Sequence, residues 1–443
     1  MTMIESLLIA NRGEIARRVI RTAKRLGVRT IAVHSEADAD LPFVAEADET
    51  VNIGAPQSYR NAEAILAAAK ATGAQAIHPG YGFLSENADF ARAVEDHGLI
   101  WVGPPAAAIA AMGDKINARN LMAAAGVPVA PGTHDPAATV EAAVEAATAI
   151  GYPVMVKAAA GGGGMGMAVA ADEKSLRTEY DKVRAFAERM FGDGSVLIER
   201  YFPRVRHVEV QILGLADGRV IALSERECSV QRRNQKLVEE APSPAVDPAL
   251  RQRILAAAVT AGEAVDYRNA GTVECLLDPE TGDFFFLEMN TRLQVEHPIT
   301  ELIHGIDLVE QQLLIASGEP VTFDHTAQTS GHAIELRVNA EDPKRFLPGP
   351  GKVATWVEPT GDGVRVDSGY AAGTTVTPFY DSLMAKLILF GADRADAIAK
   401  ARAAVAGFQI AGPKNNLPFF AELLENEEFL SGDYDTGIVS RMR

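Results

Sequence analysis

The chain has 443 residues, 47% hydrophobic and 23% charged, which are ordinary values for a soluble globular protein with room for about two to four domains. Its 42 Lys and Arg against 59 Asp and Glu give a formal charge of −17, which argues against nucleic-acid and anionic-membrane partners but not against a local cationic pocket for a small polyanion. Two cysteines, Cys228 and Cys275, exclude a disulfide scaffold; with no apolar run of membrane-spanning length and no signal-peptide pattern, a cytoplasmic protein is expected.

Leu7–Ala10 reads as a strand, Asn11–Glu14 as a turn, and Ile15, Ala16, Val19, Ile20, Ala23 and Leu26 as one face of a helix that Gly27 stops. Val28–His34 completes a βαβ unit, whose parallel sheet places its site at the strands' carboxyl ends. The alternation continues with a helix over Ala62–Thr72, a strand over Ala76–His78, a helix over Asn87–His97 and a strand over Ile100–Val102. A first domain therefore ends near Met112, and a helical connector, Ile116–Ala125, ends at Gly126. A second unit spans Pro131–Arg200: Asp135-Pro136 opens an Ala-rich helix to Ile150, followed by strands at Pro153–Lys157, Ala168–Ala171 and Val196–Glu199. From His207 onward the strands are longer and often alternate, with helices opened by Asp247-Pro248 and Asp393, which reads as an α+β domain.

Beyond Lys157, glycine fills five of the six positions 161–166 between two strand-like segments. Such a run is entropically costly unless its N–H groups approach an anion or the segment closes as a lid, and the lysine before it points to phosphate. Neither a Walker A pattern nor a Gly-x-Gly-x-x-Gly fingerprint is present. A hairpin over Thr272–Leu277 and Phe284–Asn290 has a derivable register. With Leu277 opposite Phe285, one face carries Val273, Cys275 and Leu277 against Phe285, Leu287 and Met289, leaving Cys275 inert in the core. The other face sets Leu276 beside Phe286, Glu274 beside Glu288 and Thr272 beside Asn290. Like charges placed opposite one another need a neutralising partner, and two carboxylates with an amide oxygen suit Mg²⁺ or Mn²⁺.

Arg292, Gln294, Glu296 and His297 continue that strand; they can hold a small oxyanion and supply Glu296 as a general base, while His297 before Pro298 is read as structural. Glu225–Lys236 packs four cations and several amides into an acidic chain, which suggests a focused phosphate or bicarbonate pocket, with Cys228 as a buried thiol. In His332–Asn339, Arg337 falls on the polar face of a half-buried strand, where a salt bridge is the expected partner.

Asn11–Ala16, Ile77–Asn87, Met112–Lys115, Gln231–Lys236 and Glu288–Pro298 resemble, in order and along essentially the whole chain, the motifs of biotin carboxylase, the biotin-carboxylating component of acyl-CoA carboxylases and pyruvate carboxylase. The resemblance implies an ATP-grasp fold of mixed α/β and α+β class. Its parts would be a Rossmann-like N-terminal domain (1–113), a helical connector (114–130), a lid domain with the Gly-rich loop (131–202), and a C-terminal ATP-grasp and biotin carboxylase C domain (203–443). It also implies site roles. Lys115, Lys157, Glu199, His207, Gln231 and Asn234 would contact ATP, with Gly162, Gly163, Gly164 and Gly166 in the lid. Glu274, Glu288 and Asn290 would bind the metal; Lys236, Arg292, Gln294 and Val295 bicarbonate. Glu296 would deprotonate bicarbonate, Arg337 would stabilise the biotin enolate, and Tyr81 and Asp381 would lie near biotin.

The implied reaction makes carboxyphosphate from ATP and bicarbonate, then carboxylates biotin. No Ala-Met-Lys-Met biotinylation sequence occurs, so the biotin is expected on a separate carrier protein, with a carboxyltransferase subunit as further partner and a homodimer as the common state. The final acceptor is expected to be an acyl-CoA of acetyl or propionyl type, the alternative being a urea or other small-molecule carboxylase, a branch to which the neutral Met165 in the Gly-rich run points. Lys115, Lys157, Arg232, Arg233, Lys236, Arg292 and Arg337 are expected to converge as a cationic pocket inside an acidic shell.

Overall fold

The computed structural model describes residues 3–159, 166–324 and 329–443. A five-stranded, all-parallel sheet comes first, in the order Glu49–Asn52, Arg29–His34, Ser6–Ile9, Ala76–His78, Ile100–Trp101. Helices Gly13–Arg25, Ala62–Thr72 and Ala88–Asp96 pack on it and bury Ile15, Val19, Ile65, Phe90 and Val94. The strand order reverses beside Ser6–Ile9, and a crevice opens at such a switch point beyond the strands' carboxyl ends. Asn11 spans it, donating Nδ2 to the carbonyls of Pro79 and Tyr81, each at 2.7 Å. The first helix starts at Gly13, ahead of the predicted Ile15, because Gly13 adopts φ +63° and turns the chain directly from strand to helix.

A three-stranded antiparallel sheet follows, with Val154–Ala158 between Met167–Ala170 and Val196–Arg200 and helices Val140–Ile150 and Glu173–Phe191 packed against it. The helix expected to open at Asp135-Pro136 begins only at Val140, capped by Thr139. The residues before it run along Val196–Arg200 instead, with Thr133 N donating to Ile198 O at 2.9 Å and Ala137 N to Val196 O at 2.8 Å. Sheet hydrogen bonds thus override a local capping signal. Gly162, Gly163, Gly164 and Met165 lie outside the described residues.

The largest sheet has eight antiparallel strands, in the order Phe284–Asn290, Asn269–Leu277, Arg206–Gly214, Val220–Arg232, Gln235–Ala241, His332–Asn339, Leu383–Gly391, Val364–Ser368. Helices Pro248–Glu263 and Arg394–Gly407, opened by Asp247 and Asp393 as predicted, pack on it together with His297–His304. Covered on both faces, its interior strands are buried along nearly their whole length. His332–Asn339 is therefore not the half-buried strand its alternation predicted: Glu335 and Asn339 are fully enclosed and Arg337 is only 13% exposed.

Buried Glu240 ties the end of the chain to this sheet. It accepts from Arg394 Nε at 2.6 Å, lies 2.7 Å from His332 Nε2 and takes the Tyr434 hydroxyl. Burial alone would raise its carboxyl, but His332 and Arg394 outweigh burial and bring it down to about 2. A folded value below the unfolded one stabilises fully above about pH 4.5, and the effect disappears as pH falls toward 2. Glu240→Gln is expected to cost about 3 kcal/mol near neutrality and much less in acid, read from paired thermal melts across pH.

Candidate active site

One face of the large sheet carries a ladder of polar side chains set by strand register. Glu274 lies opposite Glu288 on one neighbouring strand and opposite Glu209 on the other; Glu209 in turn pairs with Arg226. The predicted pairings Glu274–Glu288, Thr272–Asn290 and Val273–Met289 are present. Beyond them a bulge at Leu287 shifts the register by one, so Leu277 pairs with Phe284 rather than Phe285, and Cys275 with Phe286. Leu287 is consequently 38% exposed instead of packed in the core. The shift buries Phe286, whose N–H bonds to Pro128 O at 2.7 Å, while Phe285 stacks on Phe202 with ring centroids 4.9 Å apart.

Lys236 organises the centre. Its Nζ lies 2.5 Å from Glu209 Oε2, 2.9 Å from Glu274 Oε1 and 2.7 Å from Glu296 Oε1. Burial would lower this ammonium, yet the three carboxylates outweigh burial and hold it well above the usual lysine range. Conversely, burial would raise Glu296, but Lys236, Arg337 and Arg226 keep it well below the usual carboxylate range. Arg337 divides its fork, giving Nε to Glu239 Oε1 at 2.7 Å and Nη2 to Glu296 Oε2 at 2.9 Å, so the predicted salt bridge is a double one. Beneath them the fully buried Arg226 bonds Glu209, Gln211, Thr272, Thr300 and Gln294, which fixes the strand face as one unit. Gln294 passes the order on, donating Nε2 to Glu274 Oε1 at 2.8 Å.

Of these groups Lys236, Glu274, Gln294, Glu296 and Arg337 line a cavity of about 1290 Å³ that also takes in Lys115, Lys157, Glu199, His207, Gln231, Asn234, Glu288, Asn290, Arg292, Val295, Tyr81 and Asp381. All the site residues picked out from the sequence therefore converge there, apart from Gly166, which is described but does not line it, and Gly162, Gly163 and Gly164, which lie outside the described residues. Lys157 Nζ is held 2.7 Å from Glu199 Oε2, whose other oxygen takes Arg119 at 2.9 Å. Asn234 sits with Arg233 in the tight turn between Val220–Arg232 and Gln235–Ala241, both at positive φ, a conformation asparagine tolerates well. Tyr81 donates its hydroxyl to Glu14. Asp381 caps its own strand, accepting from Leu383 N at 2.9 Å.

The expected cationic pocket needs correcting on two points. Arg232 is not in the cavity wall: its guanidinium stacks over Phe346 and bonds that residue's carbonyl. Most of the remaining cations are already met by carboxylates, so the pocket is charge-paired rather than simply cationic; Arg292, for example, is bound by Glu86 at 3.0 Å. Arg226 belongs to the cation-rich run Glu225–Lys236, but its place beneath the site does not follow from the sequence, and neither do the roles of Glu86, Glu209, Glu239 and Arg119. The period-two run His207, Glu209, Gln211 was a usable signal for one of them. The others are defined by partners far away in the chain.

The carboxylate pair fits a hard divalent cation. Glu274 is satisfied by Lys236, Gln294 and His207, whereas Glu288 has, among the described residues, only Asn290 Nδ2 at 3.5 Å. Burial and the adjacent Glu274 charge push the Glu288 carboxyl up, the mark of an anion without a full counter-charge. Asn290 Oδ1 accepts from Arg292 Nη2 at 2.5 Å, so the oxygens offered to a cation come from the two carboxylates.

A parallel α/β domain, a small three-stranded unit and a large antiparallel sheet around a lysine- and carboxylate-lined cavity define an ATP-dependent ligase of the ATP-grasp class. Family models match as "Biotin carboxylase, N-terminal domain" over residues 3–109, "Carbamoyl-phosphate synthase L chain, ATP binding domain" over 114–323 and "Biotin carboxylase C-terminal domain" over 335–441. Biotin carboxylase 2 of Bacillus subtilis (strain 168) is 49% identical, over 99% of this chain and 100% of its own. A solved Campylobacter jejuni biotin carboxylase in complex with β,γ-ATP superposes with TM-score 0.95 at 44% identity, covering 99% of each chain. The biotin carboxylase domain dimer of Hydrogenobacter thermophilus 2-oxoglutarate carboxylase, with MgADP, ADP and bicarbonate, gives 0.94 at 42%, over 100% and 98%. The chain belongs to the biotin carboxylase family, and it is an ATP-dependent carboxylase ligase. Among the described residues no helix is long and apolar enough to cross a membrane.

Proposed function

We propose that this chain carboxylates biotin carried on a separate protein, using ATP and bicarbonate through carboxyphosphate, as the biotin carboxylase component of an acyl-CoA carboxylase of acetyl or propionyl type. The observation that carries the reading is Glu296 suspended between Lys236 and Arg337 in one ATP-sized cavity. In this reading Lys115 and Lys157 receive the nucleotide's phosphates, with Glu199, His207, Gln231 and Asn234 around it and Gly162, Gly163, Gly164 and Gly166 as lid. Arg292, Gln294, Val295 and Lys236 hold bicarbonate, and Glu296 takes its proton. Arg337 then faces the biotin enolate, with Tyr81 and Asp381 at its edge. Mg²⁺, when bound by Glu274 and Glu288 with Asn290 alongside, neutralises phosphate charge. The domains divide at residues 113, 130 and 202. The Hydrogenobacter relative, described as a dimer, supports a homodimer here. A carrier protein and a carboxyltransferase complete the system, and the carboxyltransferase decides the acceptor.

The test is ADP release from the purified chain with bicarbonate and free biotin, followed by capture of the endogenous carboxyltransferase and assay of its acceptors. Biotin-independent ADP release would refute the reaction; a captured partner that carboxylates a 2-oxo acid or urea would refute the acyl-CoA assignment. Glu288→Gln is expected to weaken Mn²⁺ binding by tenfold or more, measured by electron paramagnetic resonance without turnover; unchanged binding would remove Glu288 from the metal site.

A further inference from the structure

Behind Arg337 lies a second pair of opposed carboxylates. Glu239 and Glu335 stand directly across from each other on Gln235–Ala241 and His332–Asn339, and both are fully buried. Glu239 spends Oε1 on Arg337, but its Oε2 and both oxygens of Glu335 meet no donor among the described residues. Two ionised carboxylates so placed repel each other, and a buried one with no donor gives up its charge rather than bear the desolvation.

The nearby cations are already committed. Arg337, on the same strand as Glu335, is divided between Glu239 and Glu296. Lys386, on Leu383–Gly391, bonds Val295 O at 2.9 Å and lies 3.1 Å from Glu14 Oε2 and 4.0 Å from Asp367 Oδ2. Lys236 holds Glu209, Glu274 and Glu296, and Arg365 on the outer strand holds Asp367 and Glu301. Burial raises both carboxyls; Glu239 is pushed up to about 7, and Glu335 rises well above the usual range despite Lys386.

We propose that Glu335 is un-ionised and donates its proton in a hydrogen bond to Glu239 Oε2, so that the pair carries a single negative charge and positions Arg337 against Glu296. Glu239 is then held at both oxygens, by Arg337 on one side and Glu335 on the other, and cannot swing away from the guanidinium. Glu335 touches no substrate; it is a positioning residue acting through Glu239. Only the kinetic arm of the test rests on the biotin-carboxylating reading.

Infrared spectroscopy of the full chain reads the proton directly. At neutral pH the wild type should show the carbonyl stretch of a buried un-ionised carboxyl, shifted in D₂O and missing from Glu335→Gln. No such band in the wild type, or one that survives in Glu335→Gln, would overturn the proposal; the first result would mean two ionised groups served by buried water. In the kinetic arm, Glu335→Ala should lower biotin-dependent kcat about tenfold or more with KM for ATP unmoved, while Glu335→Gln, whose amide can donate the same bond, recovers most of it. A glutamine variant as slow as the alanine variant would overturn the positioning role. If no biotin-dependent turnover exists in the wild type, the functional reading fails while the infrared result still decides the shared proton.

Discussion

Glu296→Gln is expected to reduce biotin-dependent ATP turnover by about 10²–10⁴-fold, the usual contribution of a positioned general base. In the structure Glu296 is a poor base, because Lys236 and Arg337 hold its carboxyl far below the pH at which it would accept a proton. A base performs best when its pKa lies near the working pH. An anion entering beside Lys236 and Arg292 would compete for those cations and return basicity to Glu296 at the moment of need. The pH profiles follow from this. In the free chain Glu296 stays ionised throughout the neutral range, so an acid limb near neutrality should appear only when bicarbonate is bound. The check is initial-rate ADP release with biotin and bicarbonate across pH, with thermal melts confirming that the variant folds. Turnover within a few-fold of wild type in Glu296→Gln would sink the role.

Lys236→Met is expected to have the largest effect on stability, about 3–5 kcal/mol near neutrality, because it strands three buried carboxylates that share one ammonium. Lys236 is also the strongest attraction holding Glu274 and Glu296 below the carboxylate range against burial. Groups with depressed folded values stabilise above their unfolded pKa and lose that contribution as pH falls. The deficit of Lys236→Met should therefore be greatest at neutral pH and shrink in acid, where the stranded carboxyls protonate. Paired thermal melts against wild type at several pH values provide the check, and a deficit independent of pH would assign the loss to packing rather than charge.

How much of this molecule was legible beforehand depended on distance along the chain. The parallel α/β region followed from helical and strand periodicities, and Asp247 and Asp393 opened their helices because side-chain capping is local. Asp135-Pro136 carried the same signal and failed, since the neighbouring strand Val196–Arg200 offered those residues better hydrogen bonds. The Glu274–Glu288 pairing could be derived because both residues belong to one hairpin, yet the bulge at Leu287 could not, as it answers to Phe202 and Pro128 far away in sequence.

The residue types alone established which chemistry was available: a lysine before a glycine run, opposed carboxylates, and an Arg-Gln-Glu strand extension. They also established an acidic chain, within which the Lys- and Arg-bearing motifs led to the expectation of a cationic pocket. Only the tertiary structure decided how those charges are paired. Lys236 meets Glu209, Glu274 and Glu296 from three different segments, Arg337 meets Glu239 and Glu296, and Arg232 turns away to Phe346. Pairing over such separations depends on sheet order and burial. A charge taken out of water must find its partner wherever the fold brings one within reach.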